Sequence, residues 1–337
     1  METPAFDLAT LLPGRPPGDD HGAPIQIADD LAWLRCGIVN VAFLGHPDAG
    51  DRGWVLVDAG LPGFAGTIAR AAEARFGGSR PAAIVLTHGH FDHVGSLQDL
   101  ADRWDTRIYA HHLELPYLTG KSAYPPPDPT VGGGALAFTS PLFPPGPFDF
   151  APRIRALPTD GDDTTGPVPN APEWQWRHTP GHAPGHVSLW RERDRALVAG
   201  DAFVTTKQES ALAVLTQHPE LHGPPMYFTP DWERAWSSVK ALAALEPLVA
   251  LTGHGQPMRG PQLAEELRAL ARDFDTRAIP SHGRYVGRPA VTDERGVVSV
   301  PPPVSDPVQG LLLGVGAAVA LGLVVNALRG DRSEAAE

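Results

Sequence analysis

The stretch Thr87-His88-Gly89-His90-Phe91-Asp92-His93 follows directly on the apolar run Ala82-Ala83-Ile84-Val85-Leu86. The run reads as a buried strand, so the cluster stands at a strand exit. His88 and His90 are two apart, and in extended backbone they project to the same side. Asp92 and His93 follow where the chain must turn, and they can face a second position. A close mix of imidazole and carboxylate suits zinc or another first-row divalent metal. Cys36 is the only cysteine, which excludes an intrachain disulfide and a thiolate cluster. Histidine and carboxylate must therefore hold any metal.

Upstream of the cluster, Ile25 to Leu44 is strand-like and Trp54 to Val57 reads as another buried strand ending at Asp58-Ala59-Gly60. Leu61 to Phe76 has helical spacing. Downstream, Ser96 to Trp104 reads as a helix with Ser96 as its N-cap, and Arg107 to Ala110 as a short strand. His111 to Pro152 is poor in regular pattern and rich in Pro and Gly, which predicts a cover over the site or an insertion without a role. His111 and His112 read as surface residues. Strand signals return at Arg153 to Leu157 and at Trp174 to His178, which leads into Thr179-Pro180-Gly181-His182-Ala183-Pro184-Gly185-His186. Val187 to Trp190 and Arg195 to Ala199 form a further pair, ending at Gly200-Asp201. Asp231 to Leu245 is helical with Asp231 as N-cap. Leu248 to Leu251 is a strand ending in Thr252-Gly253-His254, and Leu263 to Phe274 is an amphipathic helix. Strands first in hairpins and then alternating with helices predict an α/β sandwich with the strands inside.

Composition bounds the function. A chain of 337 residues with 42% hydrophobic and 20% charged residues is globular, with enough apolar material for a sizeable core. A formal charge of −12 argues against a broad nucleic-acid face. Residues 1–24 show no secretory signal. Beyond the region 25–280 with its 111–152 cover, residues 281–307 read as an extended Pro-rich tail. Val308 to Leu328 is apolar all round and long enough to span a bilayer as a helix, with Gly310, Gly314, Ala318 and Gly322 as a small-residue stripe. The expectation is a cytoplasmic catalytic domain anchored to the membrane by this helix, with residues 329–337 as a polar tail. The same stripe would allow a homodimer.

Four strand ends thus deliver His, Asp or both: the opening cluster, His182, Asp201 and His254. The His-x-His-x-Asp-His motif at His88 to His93, with the order and spacing of the later elements over residues 25–275, resembles the metallo-β-lactamase-fold hydrolase superfamily. The resemblance implies an αββα sandwich of two mixed sheets flanked by helices, with metals at one edge. It implies a first metal on His88, His90 and His182, a second on Asp92, His93 and His254, and Asp201 bridging them. Asp58 matches the family's supporting aspartate, and His186 is placed behind the ligands because the family ligand is the first histidine of its run. His178, His218, His222 and His282 receive no ligand role. A bridging carboxylate is typical of the glyoxalase II, lactonase and phosphodiesterase branches and not of true β-lactamases.

The expected activity is hydrolysis of a small ester-like substrate (thioester, lactone or related) by a hydroxide bridging two zinc ions, with iron or manganese as other metals the ligands accept. Asp92 would orient the hydroxide or shuttle a proton. The resemblance also admits a mononuclear-iron persulfide dioxygenase and a phosphodiesterase or nuclease. A non-catalytic metal-binding or sensor protein is the third rival, disfavoured by seven ligands. No nucleic-acid partner is expected.

Overall fold

The computed structural model describes residues 24–305. Strands β1 (Ile25–Ala28), β2 (Leu31–Cys36), β3 (Val39–Leu44), β4 (Val55–Val57), β5 (Ala83–Val85), β6 (Arg107–Ala110) and β7 (Ile154–Ala156) form a seven-stranded sheet in sequence order. Pairing is antiparallel through β4 and parallel from β4 to β7. The second, six-stranded sheet runs β13 (Met258–Arg259), β12 (Val249–Thr252), β11 (Ala196–Gly200), β10 (Val187–Arg191), β9 (Ala171–His178) and β8 (Thr165–Val168). Only β11 and β12 pair in parallel there.

Alternation along the strands explains the layering. Leu31 and Trp33 of β2, Ala42 and Leu44 of β3, and Val55 and Val57 of β4 pack with Trp174, Trp176, Val187, Leu189 and Val198 of the second sheet in one inner core. The intervening Ala32, Leu34, Val41, Phe43 and Leu56 face the opposite way. There they meet α1 (Ala65–Phe76), the single turn α2 (Phe91–Val94) and α3 (Leu97–Trp104). On the far side of the second sheet, Leu197, Ala199 and Ala250 pack with α7 (Trp232–Ala244), α8 (Pro261–Arg272) and α9 (Phe274–Arg277). The result is the expected αββα sandwich.

Asp231 caps α7 as its position predicts, accepting from the Arg234 amide at 3.0 Å. Ser96 stands at the N-cap position of α3, as expected, but its side chain makes no capping hydrogen bond. Its hydroxyl donates to the Leu61 carbonyl at 2.7 Å and accepts from the Phe64 amide at 3.1 Å, so it fixes the entry to α1 instead. The 111–152 region carries α4 (Leu115–Leu118), α5 (Ala135–Thr139) and several single turns, and many of its residues are buried. His111, read as a surface residue, is buried. A further short helix, α6 (Ala211–Thr216), precedes the turn at Met226–Phe228.

Contacts divide the chain after Pro301, and the first unit includes a hairpin of β14 (Val291–Asp293) and β15 (Gly296–Ser299). Among the described residues no helix is long and apolar enough to cross a membrane. The expected 308–328 span, its small-residue stripe and the 329–337 tail lie outside the described residues.

Candidate metal centre

The strand ends converge. β5 delivers His88 and His90, and α2 then turns Asp92 and His93 toward the same point. The loop after β9 brings His182, the end of β11 brings Asp201, and the end of β12 brings His254. Each of these seven side chains belongs to a residue at most 6% exposed. Three overlapping groups have ligand atoms within 4.8 Å of one another: His88, His90 and His182; His88, His93 and Asp201; and Asp92, His93 and His254.

Asp201 lies between the two sides. Its Oδ2 is 3.4 Å from His182 Nε2, 3.6 Å from His93 Nε2 and 3.1 Å from His254 Nε2. His90 Nδ1 is 3.0 Å from His182 Nε2, and His254 Nε2 is 3.4 Å from Asp92 Oδ2.

The other ring nitrogens are engaged outward. His93 Nδ1 lies 2.9 Å from Asp58 Oδ2, and His254 Nδ1 lies 2.7 Å from the Ile38 carbonyl. His182 Nδ1 faces the Thr229 hydroxyl at 3.3 Å and His88 Nδ1 the Thr87 hydroxyl at 3.1 Å. Such outward partners orient a ring and hold its second nitrogen inward. Asp58 also accepts from the Thr87 amide and hydroxyl, both at 2.8 Å, so one carboxylate ties β4 to the start of the histidine loop. Asn40, a polar break in the apolar β3, holds the His254 loop. Its amide nitrogen donates to the Thr252 carbonyl at 2.9 Å and the Gly255 carbonyl at 2.7 Å. His186 stands behind Asp201: its Nε2 accepts from the Asp201 amide at 2.9 Å and its Nδ1 meets Thr179 Oγ1 at 2.9 Å. Both of its nitrogens are thus occupied.

Other polar atoms of the same cluster lack partners. His88 Nε2, His93 Nε2 and Asp201 Oδ1 are buried without a hydrogen-bond partner. An unpaired buried polar group costs about 1–3 kcal/mol, so three together rival the net stability of a domain, about 5–15 kcal/mol. A cation bound among these electron-pair donors would offset that cost, and the His/Asp set suits a divalent metal.

Electrostatics agree with a mutually adapted cluster. Burial, together with the neighbouring histidines, holds His88 and His182 well below the ordinary imidazole range. Burial acts the same way on His93, but Asp201 and Asp58 outweigh it and raise its pKa. Burial alone would raise Asp201, yet His254 and His93 hold it well below the usual carboxylate range. Asp92 is pushed up, chiefly by burial.

Several neighbouring groups carry no sequence signature. Phe228 stacks on the His90 ring at 4.8 Å, and Tyr124 meets that ring at 4.6 Å. Tyr227 is buried close enough to Asp92, Glu209 and Asp201 for these carboxylates to add to burial in raising its pKa, while the Gln208 amide acts the other way. Oε2 of Glu209 is buried without a partner.

Two packed sheets with a buried His/Asp cluster at their edge are the architecture of the metallo-beta-lactamase superfamily, and the chain belongs to it: the family model matches residues 34–254. It is 47% identical over 251 residues to the probable metallo-hydrolase YflN of Bacillus subtilis (strain 168), covering 74% of this chain and 93% of that protein. It is 30% identical over 225 residues to a hydroxyacylglutathione hydrolase of Methylobacterium nodulans, covering 66% of this chain and 65% of that one. Among solved structures it resembles metallo-β-lactamase SMB-1 bound to 2-mercaptoethanesulfonate, with a TM-score of 0.51 and 16% identity over 75% of this chain and 95% of that one. That likeness concerns the fold alone.

Proposed function

We propose that this chain is a dinuclear metal-dependent hydrolase, with zinc as the resident metal, that cleaves a small thioester, lactone or related ester. The observation that carries this reading is the convergence of His and Asp ligand atoms within 4.8 Å of one another in three overlapping buried groups, with His88 Nε2 and His93 Nε2 unpartnered. His88, His90 and His182 would hold one ion, Asp92, His93 and His254 the other, and Asp201 would reach both. Two such ions supply a water acidified toward neutral pH and polarise the substrate oxygen.

The chain's own residues do the rest. Asp92, beside His254, orients the attacking water and takes its proton on a carboxylate oxygen. Asp58, the Ile38 carbonyl and Thr229 keep their histidines turned inward. Tyr124 and Phe228, packed on His90, limit water at the site. The similarity to a hydroxyacylglutathione hydrolase favours the thioester class.

The test is a panel of thioesters, lactones, phosphodiesters and β-lactams offered to metal-loaded protein. Turnover of thioesters or lactones, lost on chelation and in Asp92→Asn, is the expected result. Turnover of phosphodiesters alone, or oxygen uptake with a single iron per chain, would refute it.

A further inference from the structure

A second carboxylate is buried near the centre, and it takes no part in the ligand set. Glu114 is 0% exposed and sits just before α4, in the region read from sequence as a cover. Its Oε2 accepts from the Gly89 amide at 2.9 Å and from the Tyr124 hydroxyl. Its Oε1 accepts from the Gly185 amide at 2.7 Å. Gly89 lies between His88 and His90; Gly185 lies in the loop that carries His182. One side chain therefore holds the backbone of two loops that are far apart in sequence and deliver three ligands to the same side of the centre.

The packing around it is built for this contact. A Cβ on Gly89 would lie 2.4 Å from the Tyr124 hydroxyl and 2.7 Å from Leu118 Cδ2. A Cβ on Gly185 would lie 2.8 Å from the Glu114 amide nitrogen and 2.9 Å from Glu114 Cγ. Both loops approach so closely that only glycine fits. Tyr124, the third donor, is stacked on Tyr117 at 4.1 Å. Val297 of β15 packs against the Tyr117, Tyr124 and Ala183 cluster, and its amide donates to Ser122 Oγ at 3.1 Å.

We propose that Glu114 is a positioning residue that sets the spacing of the His88–His90 loop against the His182 loop, and with it the affinity and geometry of the metal site. Both carboxylate oxygens are occupied by these donors, so Glu114 acts through the loops and not as a ligand. A carboxylate facing three donors forms charge-assisted hydrogen bonds, the stronger kind. A glutamine in its place keeps the shape but turns an N–H toward one of the donors. The 111–124 segment thus serves the metal site from behind.

This inference rests on the metal reading above, and the test separates the two. Metal affinity of the full-length protein is measured by competition with a chromophoric chelator, and the site geometry by the visible spectrum of the cobalt-loaded form, at a temperature well below unfolding. Glu114→Gln is expected to bind metal about 10- to 100-fold more weakly, the usual range for groups that orient ligands, with a shifted cobalt spectrum. A Glu114→Gln protein that melts earlier but keeps its affinity and cobalt spectrum would overturn the proposal, since that is the mark of packing alone.

A second arm needs no variant: hydrogen exchange of the Gly89 and Gly185 amides in the wild-type, metal-free protein. Protection comparable to core strands is expected, and exchange at the rate of an open loop would overturn the clasp. Wild-type protein that binds no divalent metal would instead refute the metal reading, and the exchange result would still decide whether the clasp exists.

Discussion

Among the described residues histidines gather in two clusters, and one of them has the makings of a metal site. At the strand ends, His88, His93, His182 and His254 each turn one nitrogen to an outward partner and leave the other facing their neighbours. In the second cluster, His111 stacks on His178 at 4.2 Å and lies 4.3 Å from His112. There His111 Nε2 meets the Asp163 carbonyl at 3.0 Å and His178 Nε2 the Pro184 carbonyl at 2.9 Å. His111 Nδ1 accepts from the Leu113 amide at 3.4 Å. Burial and proximity of imidazoles are common to both. What separates them is whether the inward nitrogens have partners.

Breaking the first cluster has the largest expected effect. Asp201→Asn or His88→Ala is expected to strip the protein of most of its metal and to lower kcat/KM about a thousandfold or more, because water activation fails. Metal analysis after dialysis, paired with the rate on the best ester or thioester, reads both. His186→Ala sharpens the comparison: it removes a contact to the Asp201 amide but no ligand. Its metal affinity is expected to fall about 10- to 100-fold while metal still binds at saturating concentration. Complete loss of metal at saturation would make His186 a ligand.

The second cluster should respond to pH and not to metal. Burial, with help from His178, pushes the His111 pKa down from 6.5 to about 3. The unfolded chain takes up this proton as pH falls through about 6.5, and the folded chain does not until about 3. His111 therefore permits full stability above that window and costs stability as pH falls within it. His111→Asn is expected to flatten the fall of Tm between those pH values relative to wild type, read by thermal melts of the metal-free proteins. His178→Ala is expected to cost about 1–2 kcal/mol by denaturant unfolding and leave metal content unchanged. Metal loss in either variant would erase the distinction between the clusters.

Strand ends were legible in the sequence because an apolar run followed by His or Asp marks a place where the chain leaves a core carrying polar cargo. That pattern located β5, β11 and β12 together with their side chains. β8 was not legible: Thr165-Gly166-Pro167-Val168 has turn composition, and only its partner β9 makes it a strand. Ser96 has the right identity for a cap, but the tertiary position of Leu61 and Phe64 claims its hydroxyl. Glu114, Tyr124 and Tyr227 sit in stretches without periodicity, and their proximity to the centre comes from chain crossings that no local pattern encodes. Asn40, a polar side chain inside an apolar strand that holds the His254 loop, does carry a local signal, which the sequence reading passed over. His111 was misread for the same reason: the Pro and Gly content of the 111–152 region gives short turns, and burial there is set by contact with the loops beneath.

The most direct measurement is the number of divalent ions per chain in the full-length protein, taken by mass spectrometry after metal loading and gel filtration. The account predicts two ions per wild-type chain and two in a His111→Asn, His178→Ala double variant. A wild-type chain that retains none, or only one at saturation, would contradict it.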